Sequence, residues 1–221
     1  MSPTPESLAS ESRVLVFGTG NRKKAAELVD LLGPLGETRL RTQLLSDFPN
    51  ALDVEENGTS FKENAALKAT HQAVHLGQWV LGDDSGLVVD ALGGAPGIFS
   101  ARFAGPGATD EDNRRKVLEE LAGIEPALRT AHFVCELALA DPSGTVRAKV
   151  SGRCQGRIRF EPSGEGGFGY DSLFEIVEYH RTFGELSATV KAVLSHRARA
   201  MMAIVPRIEA LILSGEWGPR G

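Results

Sequence analysis

Aromatic residues make up only 6% of the 221-residue chain, cysteines number two, and no apolar run approaches the roughly 20 residues that span a bilayer. Each scarcity narrows the function. Without the long run there is no transmembrane helix to read, and no membrane partner is expected. Cys135 and Cys154 have neither a Cys-x-x-Cys spacing nor a neighbouring histidine, so they read as core thiols rather than zinc ligands or a redox pair. A basic excess is missing too. Lys and Arg total 24 against 29 Asp and Glu, a formal net charge of −5, the wrong sign for a surface that grips a nucleic-acid polymer. Residues 1–12 lack the basic start and apolar centre of a secretory signal, and are expected to form a flexible N-terminal tail on a cytoplasmic protein.

What the chain does hold is glycine, 25 residues of it, placed between short apolar runs. Arg13–Phe17 reads as a strand, followed by Gly18-Thr19-Gly20-Asn21 and a helix with Ala25, Leu28 and Leu32 on one face, stopped at Gly33-Pro34. Free N–H groups at that helix start, with Arg22, Lys23 and Lys24 beside them, suit a phosphate. A dinucleotide fingerprint would need glycine where Lys23 stands. After a second strand within Thr38–Leu45 and a loop through Glu55-Glu56, Thr59 or Ser60 caps a helix whose buried stripe is Phe61, Ala65, Ala69, Ala73 and Leu76. Asn64 and Lys68 occupy a neighbouring face.

Trp79–Leu81 is expected to end a strand, with Asp83-Asp84-Ser85-Gly86 as a tight turn and Leu87–Ala91 as the next strand. Paired carboxylates at a strand end suit a hard divalent cation, and they equally suit a solvated turn. A charged helix over Asp110–Leu121 precedes a hairpin of Ala131–Ala140 and Thr145–Arg159, turning at Asp141–Gly144. The loop Gly164–Asp171 carries Phe168, Gly169, Tyr170 and Asp171, aromatic faces and a carboxylate of the kind that stack on a nucleobase and read its edge. Ser195 caps a helix opened by His196 and Arg197, which Pro206 kinks or divides. Adjacent residues at a helix start do not face each other, so Ser195-His196 is not a nucleophile and base.

Five segments in order resemble one family, the inosine triphosphatase or Ham1-like purine nucleoside triphosphate pyrophosphatases. They are Thr19–Lys24, Glu56–Ala69, Asp83–Arg102, Gly166–Asp171, and Lys191 with Ser195–Arg197. The resemblance implies an α/β fold: a long, bent, mixed central sheet flanked by helices, in two lobes with the active-site cleft between them, formed by residues 13–221 as a single domain. It implies hydrolysis of ITP, dITP and XTP to monophosphate and pyrophosphate, Mg²⁺ as cofactor, and a homodimer. By position, Asp84 is the implied catalytic carboxylate and metal ligand, with Asp83 its neighbour and Glu56 the second metal carboxylate. Thr19, Gly20, Asn21, Arg22, Lys23 and Lys24, with Lys68 and Ser85, are the implied triphosphate grip. Phe168, Gly169, Tyr170, Asp171, Lys191, His196 and Arg197 are the implied nucleotide and base set, Arg197 offering a donor to a 6-oxo purine. Ser60, Ser172, Gly184 and Ala192 depart from the usual pattern. A pyrimidine-preferring pyrophosphatase of the Maf type and a non-catalytic nucleotide sensor are the competing readings.

Overall fold

A computed structural model describes residues 13–33 and 40–217; the N-terminal tail, Pro34, Thr38 and Arg39 lie outside them. In chain order the elements are β1 (Arg13–Phe17), α1 (Arg22–Leu32), β2 (Leu40–Leu44), α2 (Phe61–Leu76), β3 (Trp79–Val89), α3 (Asp110–Glu120), β4 (Thr130–Ala140), β5 (Val146–Ile158), β6 (Phe174–Ile176), β7 (Arg181–Thr182), α4 (Ala188–Leu194) and α5 (His196–Leu213). The strands form one seven-stranded mixed sheet in the order β2-β1-β3-β4-β5-β6-β7. β1 runs parallel to β2 and β3, while each later neighbouring pair is antiparallel.

Strand alternation sorts the core. Leu15 and Phe17 point to the face covered by Leu28 and Leu32 of α1 and Met201, Ile204 and Ile208 of α5. Val16 points the other way, where Val80 and Ala138 meet Ala65, Ala69 and Ala73 of α2. A separate cluster gathers Leu87, Val89, Phe133, Phe174 and Phe183 with Val117 of α3 and Leu121 at its C-terminal cap. The long strands β3, β4 and β5 run through both halves, and the candidate site lies between them. The expected hairpin is present, with the Asp141–Gly144 turn closed by Gly144 N–H donating to Asp141 O. Pro206 does not divide α5, which runs from His196 to Leu213 with the proline on its exposed side, so the missing N–H removes a helical bond on the face open to solvent.

The central stretch differs from its sequence reading. Asp83-Asp84-Ser85-Gly86 is not a turn. It is the middle of the 11-residue strand β3, with Asp83 opposite Leu137 and Asp84 opposite Glu136 of β4. The glycines that bracket this stretch, Gly82 and Gly86, sit in a strand because their neighbours approach too closely for any side chain. A Cβ on Gly82 would run into the Ala65 carbonyl oxygen and come within 2.8 Å of Ala69 N, so α2 packs directly on the backbone of β3. We expect Gly82→Ala to cost about 3 kcal/mol of stability, the upper range for overpacking. Chemical denaturation checks this, and an unchanged midpoint would show that α2 has room to shift.

Candidate active site

β1 ends at Phe17, whereas β3 continues past it, so Asp83 and Asp84 emerge where β3 loses its parallel neighbour. Gly18 marks the exit. Its N–H donates to Leu81 O at 2.8 Å, and a Cβ there would press on Val80 at 2.8 Å. The chain then turns into α1, capped by Asn21, whose Oδ1 accepts from Lys23 N (3.0 Å) and Lys24 N (3.2 Å). Two of the N–H groups expected to be free for an anion are therefore already taken, because asparagine is itself a strong cap. Thr19 is buried, with Oγ1 accepting from Asn21 N, Gly20 is exposed, and Arg22 makes no ion pair among the described residues. Lys24 is the residue that reaches inward: its Nζ donates to Ser85 O at 3.2 Å and stands 3.5 Å from Asp83 Oδ2.

Asp83 is fully buried. Its Oδ2 accepts from Ser85 Oγ at 3.4 Å and its Oδ1 from Cys135 Sγ at 3.2 Å. Burial pushes this carboxyl up, but the charges of Lys24, Arg197 and Lys68 outweigh it, and the Cys135 hydrogen bond adds to them, so Asp83 stays ionised. Asp84 has the opposite balance. Burial raises it, helped by Glu56, against Lys68 and Lys24. Lys68 Nζ donates to Asp84 Oδ1 at 3.0 Å and lies 3.4 Å from Glu56 Oε1, while Asp84 Oδ2 is buried with no partner. Glu56 thus reaches the cluster, and Glu55 is exposed. A buried carboxylate oxygen without a donor, next to a second carboxylate, fits a hard cation that keeps water or phosphate oxygens in its remaining positions.

The second half of the site is built by the glycine loop, α4 and α5. Asp171 Oδ2 accepts from Phe168 N (2.9 Å) and Lys191 Nζ (2.7 Å), so this carboxylate holds the loop together. Burial raises Asp171 and Lys191 opposes the rise. Tyr170 is core, its hydroxyl donating to Ser100 O at 2.8 Å, which leaves Phe168 as the aromatic face available to a base. Three cations surround that ring: Lys191 at 5.1 Å, Arg197 at 5.3 Å and Lys23 at 5.6 Å. Arg197 donates through Nη1 to Glu27 Oε2 (2.5 Å) and through Nη2 to Ser85 Oγ (3.0 Å), and its buried Nε has no partner. His196 stacks on Phe133 at 4.7 Å, and burial, with Arg197 and Lys191 beside it, holds the ring neutral. Its Nδ1 is also buried without a partner.

One pocket is lined by Asn21, Lys24, Ser85, Phe168–Asp171, His196 and Arg197 together. Asp84, Lys68 and Glu56 form the carboxylate cluster on the adjoining stretch of β3, and Lys191 backs the pocket from α4. Ser195 ends α4, its N–H donating to Lys191 O, and caps α5, its Oγ accepting from Ala198 N. Two functional residues escaped the sequence reading. Glu27 clamps both Lys191 (2.6 Å) and Arg197, and one helical turn after Lys24 is its only clue. Cys135 is the core thiol expected from the sequence, and what the sequence does not show is its hydrogen bond to Asp83. Both thiols are buried and pushed up, Cys154 to about 11 and Cys135 well above its ordinary value. They are therefore expected to be inert to a thiol reagent at pH 8 in the native protein and to react once it is unfolded. Rapid native labelling would mean that this half of the sheet opens.

Residues 15–207 match the family model described as the Ham1 family. The chain is 54% identical over 200 residues to a dITP/XTP pyrophosphatase of Rhodopirellula baltica, covering 90% of this chain and 95% of that protein. It is 49% identical over 194 residues to a dITP/XTP pyrophosphatase of an Exiguobacterium species, covering 88% and 96%. Among solved structures, a HAM1 protein from Coxiella burnetii superposes with a TM-score of 0.81 at 36% identity over 90% of this chain and 99% of that one. The Ham1 protein of Staphylococcus aureus gives 0.79 at 34% identity over 90% and 99%.

Proposed function

The chain belongs to the Ham1 family, and from that premise we propose that it is a pyrophosphatase that hydrolyses dITP, ITP and XTP to the nucleoside monophosphate and pyrophosphate. The observation that carries this reading is the juxtaposition of an unpartnered, buried Asp84 Oδ2 with a pocket whose polar side chains include two unpartnered donor-capable nitrogens, His196 Nδ1 and Arg197 Nε. Lys24 and the start of α1 grip the triphosphate, and Lys68 fixes Asp84 through one oxygen so that the other faces the reaction. Phe168 stacks on the base, while Arg197, pinned by Glu27 and Ser85, places a donor where a 6-oxo group is accepted and an amino group is repelled. Water attacks the α-phosphorus, a new P–O bond forms, and the bond from that phosphorus to the bridging oxygen breaks. The water proton passes to Asp84, the carboxylate that Lys68 holds through its other oxygen. Asp84 and Glu56 would hold Mg²⁺, which supplies positive charge to polarise a phosphoryl oxygen.

No helix among the described residues is long and apolar enough to cross a membrane. A homodimer and a cytoplasmic location belong to the same reading, on the resemblance and the composition. The test is pyrophosphate release from dITP, ITP, XTP, GTP, ATP and dTTP with Mg²⁺ and then with EDTA. Release confined to the first three and stopped by EDTA is expected. Release chiefly from dTTP would overturn the base assignment, and turnover that survives EDTA would remove the metal from it.

A further inference from the structure

The charged helix α3 is assigned no role above, yet its Asp110 and Asn113 line the same pocket and it touches the base loop at one residue from both sides. Asp110 Oδ2 accepts from Gly169 N at 2.9 Å, and Arg114 Nη1 donates to Gly169 O at 2.7 Å. The two side chains are four residues apart and so lie on one helix face. Gly169 sits at φ 61°, a left-handed conformation that glycine adopts without penalty. Asp110 Oδ2 also lies 3.8 Å from Lys23 Nζ, at the start of the phosphate-gripping helix. Neither residue is needed to build α3. The helix is capped independently by Thr109 with Asp112, and Asn113 ties it down through Ala104 N and Ala101 O. From the far side, Lys191 holds the same loop at Asp171. Phe168 directly precedes those two grips, its N–H held by Asp171 and its ring flanked by Lys23, Lys191 and Arg197.

We propose that Asp110 and Arg114 are positioning residues: they clamp Gly169 so that Phe168 is held at a fixed offset from the triphosphate grip, and they thereby set how well the base is bound. This rests on the pyrophosphatase reading. The experiment measures steady-state dITP hydrolysis for wild type, Asp110→Ala, Arg114→Ala and Arg114→Lys. Inorganic tripolyphosphate, which has no base, serves as a competitive inhibitor. Loss of one charge-assisted hydrogen bond should raise KM for dITP about tenfold, with kcat within about threefold and the tripolyphosphate Ki within about twofold of wild type. Arg114→Lys, which keeps a cationic donor, should recover part of the loss. An unchanged KM in both alanine variants overturns the clamp, as does a parallel rise in KM and in the tripolyphosphate Ki, which would mean general loosening. A wild-type protein silent on dITP would instead sink the parent reading, and the clamp with it.

Discussion

Asp84→Asn is expected to lower kcat for dITP by about a thousandfold, the upper end of what one electrostatic catalytic group contributes, while leaving the fold intact. The substitution keeps size and keeps an oxygen for Lys68 Nζ, 3.0 Å from Asp84 Oδ1 in the wild type. It removes the charge and basicity of the oxygen that has no partner. Because burial already works against that charge, its loss should move the melting temperature by no more than about 4 °C in either direction, a change worth about 1 kcal/mol or less. Lys68 is left with Glu56, so it is not stranded. Activity assays and thermal melts on the same preparation check both halves. Activity near wild type would remove Asp84 from the chemistry, and a collapse in melting temperature would make it structural.

Lys24→Met is the second large effect, and it should appear in both rate and stability. Lys24 is the strongest of the charges holding the fully buried Asp83 ionised, so removing it leaves that carboxylate under-compensated, at a cost of roughly 2 kcal/mol at neutral pH. The sign with pH separates this from simple repacking. In the wild type the Asp83 pKa is depressed, so its contribution is present above the unfolded value of 3.8 and lost as pH falls through the folded one. In the variant the largest of these charges is gone while Arg197, Lys68 and the Cys135 hydrogen bond remain, so the folded pKa lies higher than in the wild type. The stability gap between variant and wild type, measured in EDTA, should therefore be widest near pH 7 and narrow as pH falls through 3.8 and below. A gap constant with pH would mean that Asp83 does not depend on Lys24. Loss of the triphosphate grip should also raise KM for dITP by about two orders of magnitude, the scale of a charge-assisted contact to phosphate. An unchanged KM would make the α1 start structural.

The hairpin, the α2 stripe, the capping serines and the strand–helix start of the chain were legible because each depends on local periodicity or turn chemistry. β3 was not. Asp, Ser and Gly favour turns, and nothing local shows that Gly82 and Gly86 are small because a helix and the Phe61 and Ser100 side chains press on them. The same limit explains the site. Lys68 and Asp84 each stand in a segment that carries the family resemblance, whereas Glu27, Cys135, Asp110 and Arg114 act through tertiary contacts with residues 20 or more positions away. Tyr170 shows the reverse error, since a ring beside glycines looked available and is in fact buried with its hydroxyl bonded to Ser100 O.

The most direct test of the account is hydrolysis of dITP in ¹⁸O-enriched water with Mg²⁺, followed by mass analysis of both products from wild type and from Asp84→Asn. Attack at the α-phosphorus with Asp84 as proton acceptor predicts label in the deoxyinosine monophosphate, unlabelled pyrophosphate, and almost no product from the variant. Label in pyrophosphate, or orthophosphate as the product, would contradict the assigned reaction.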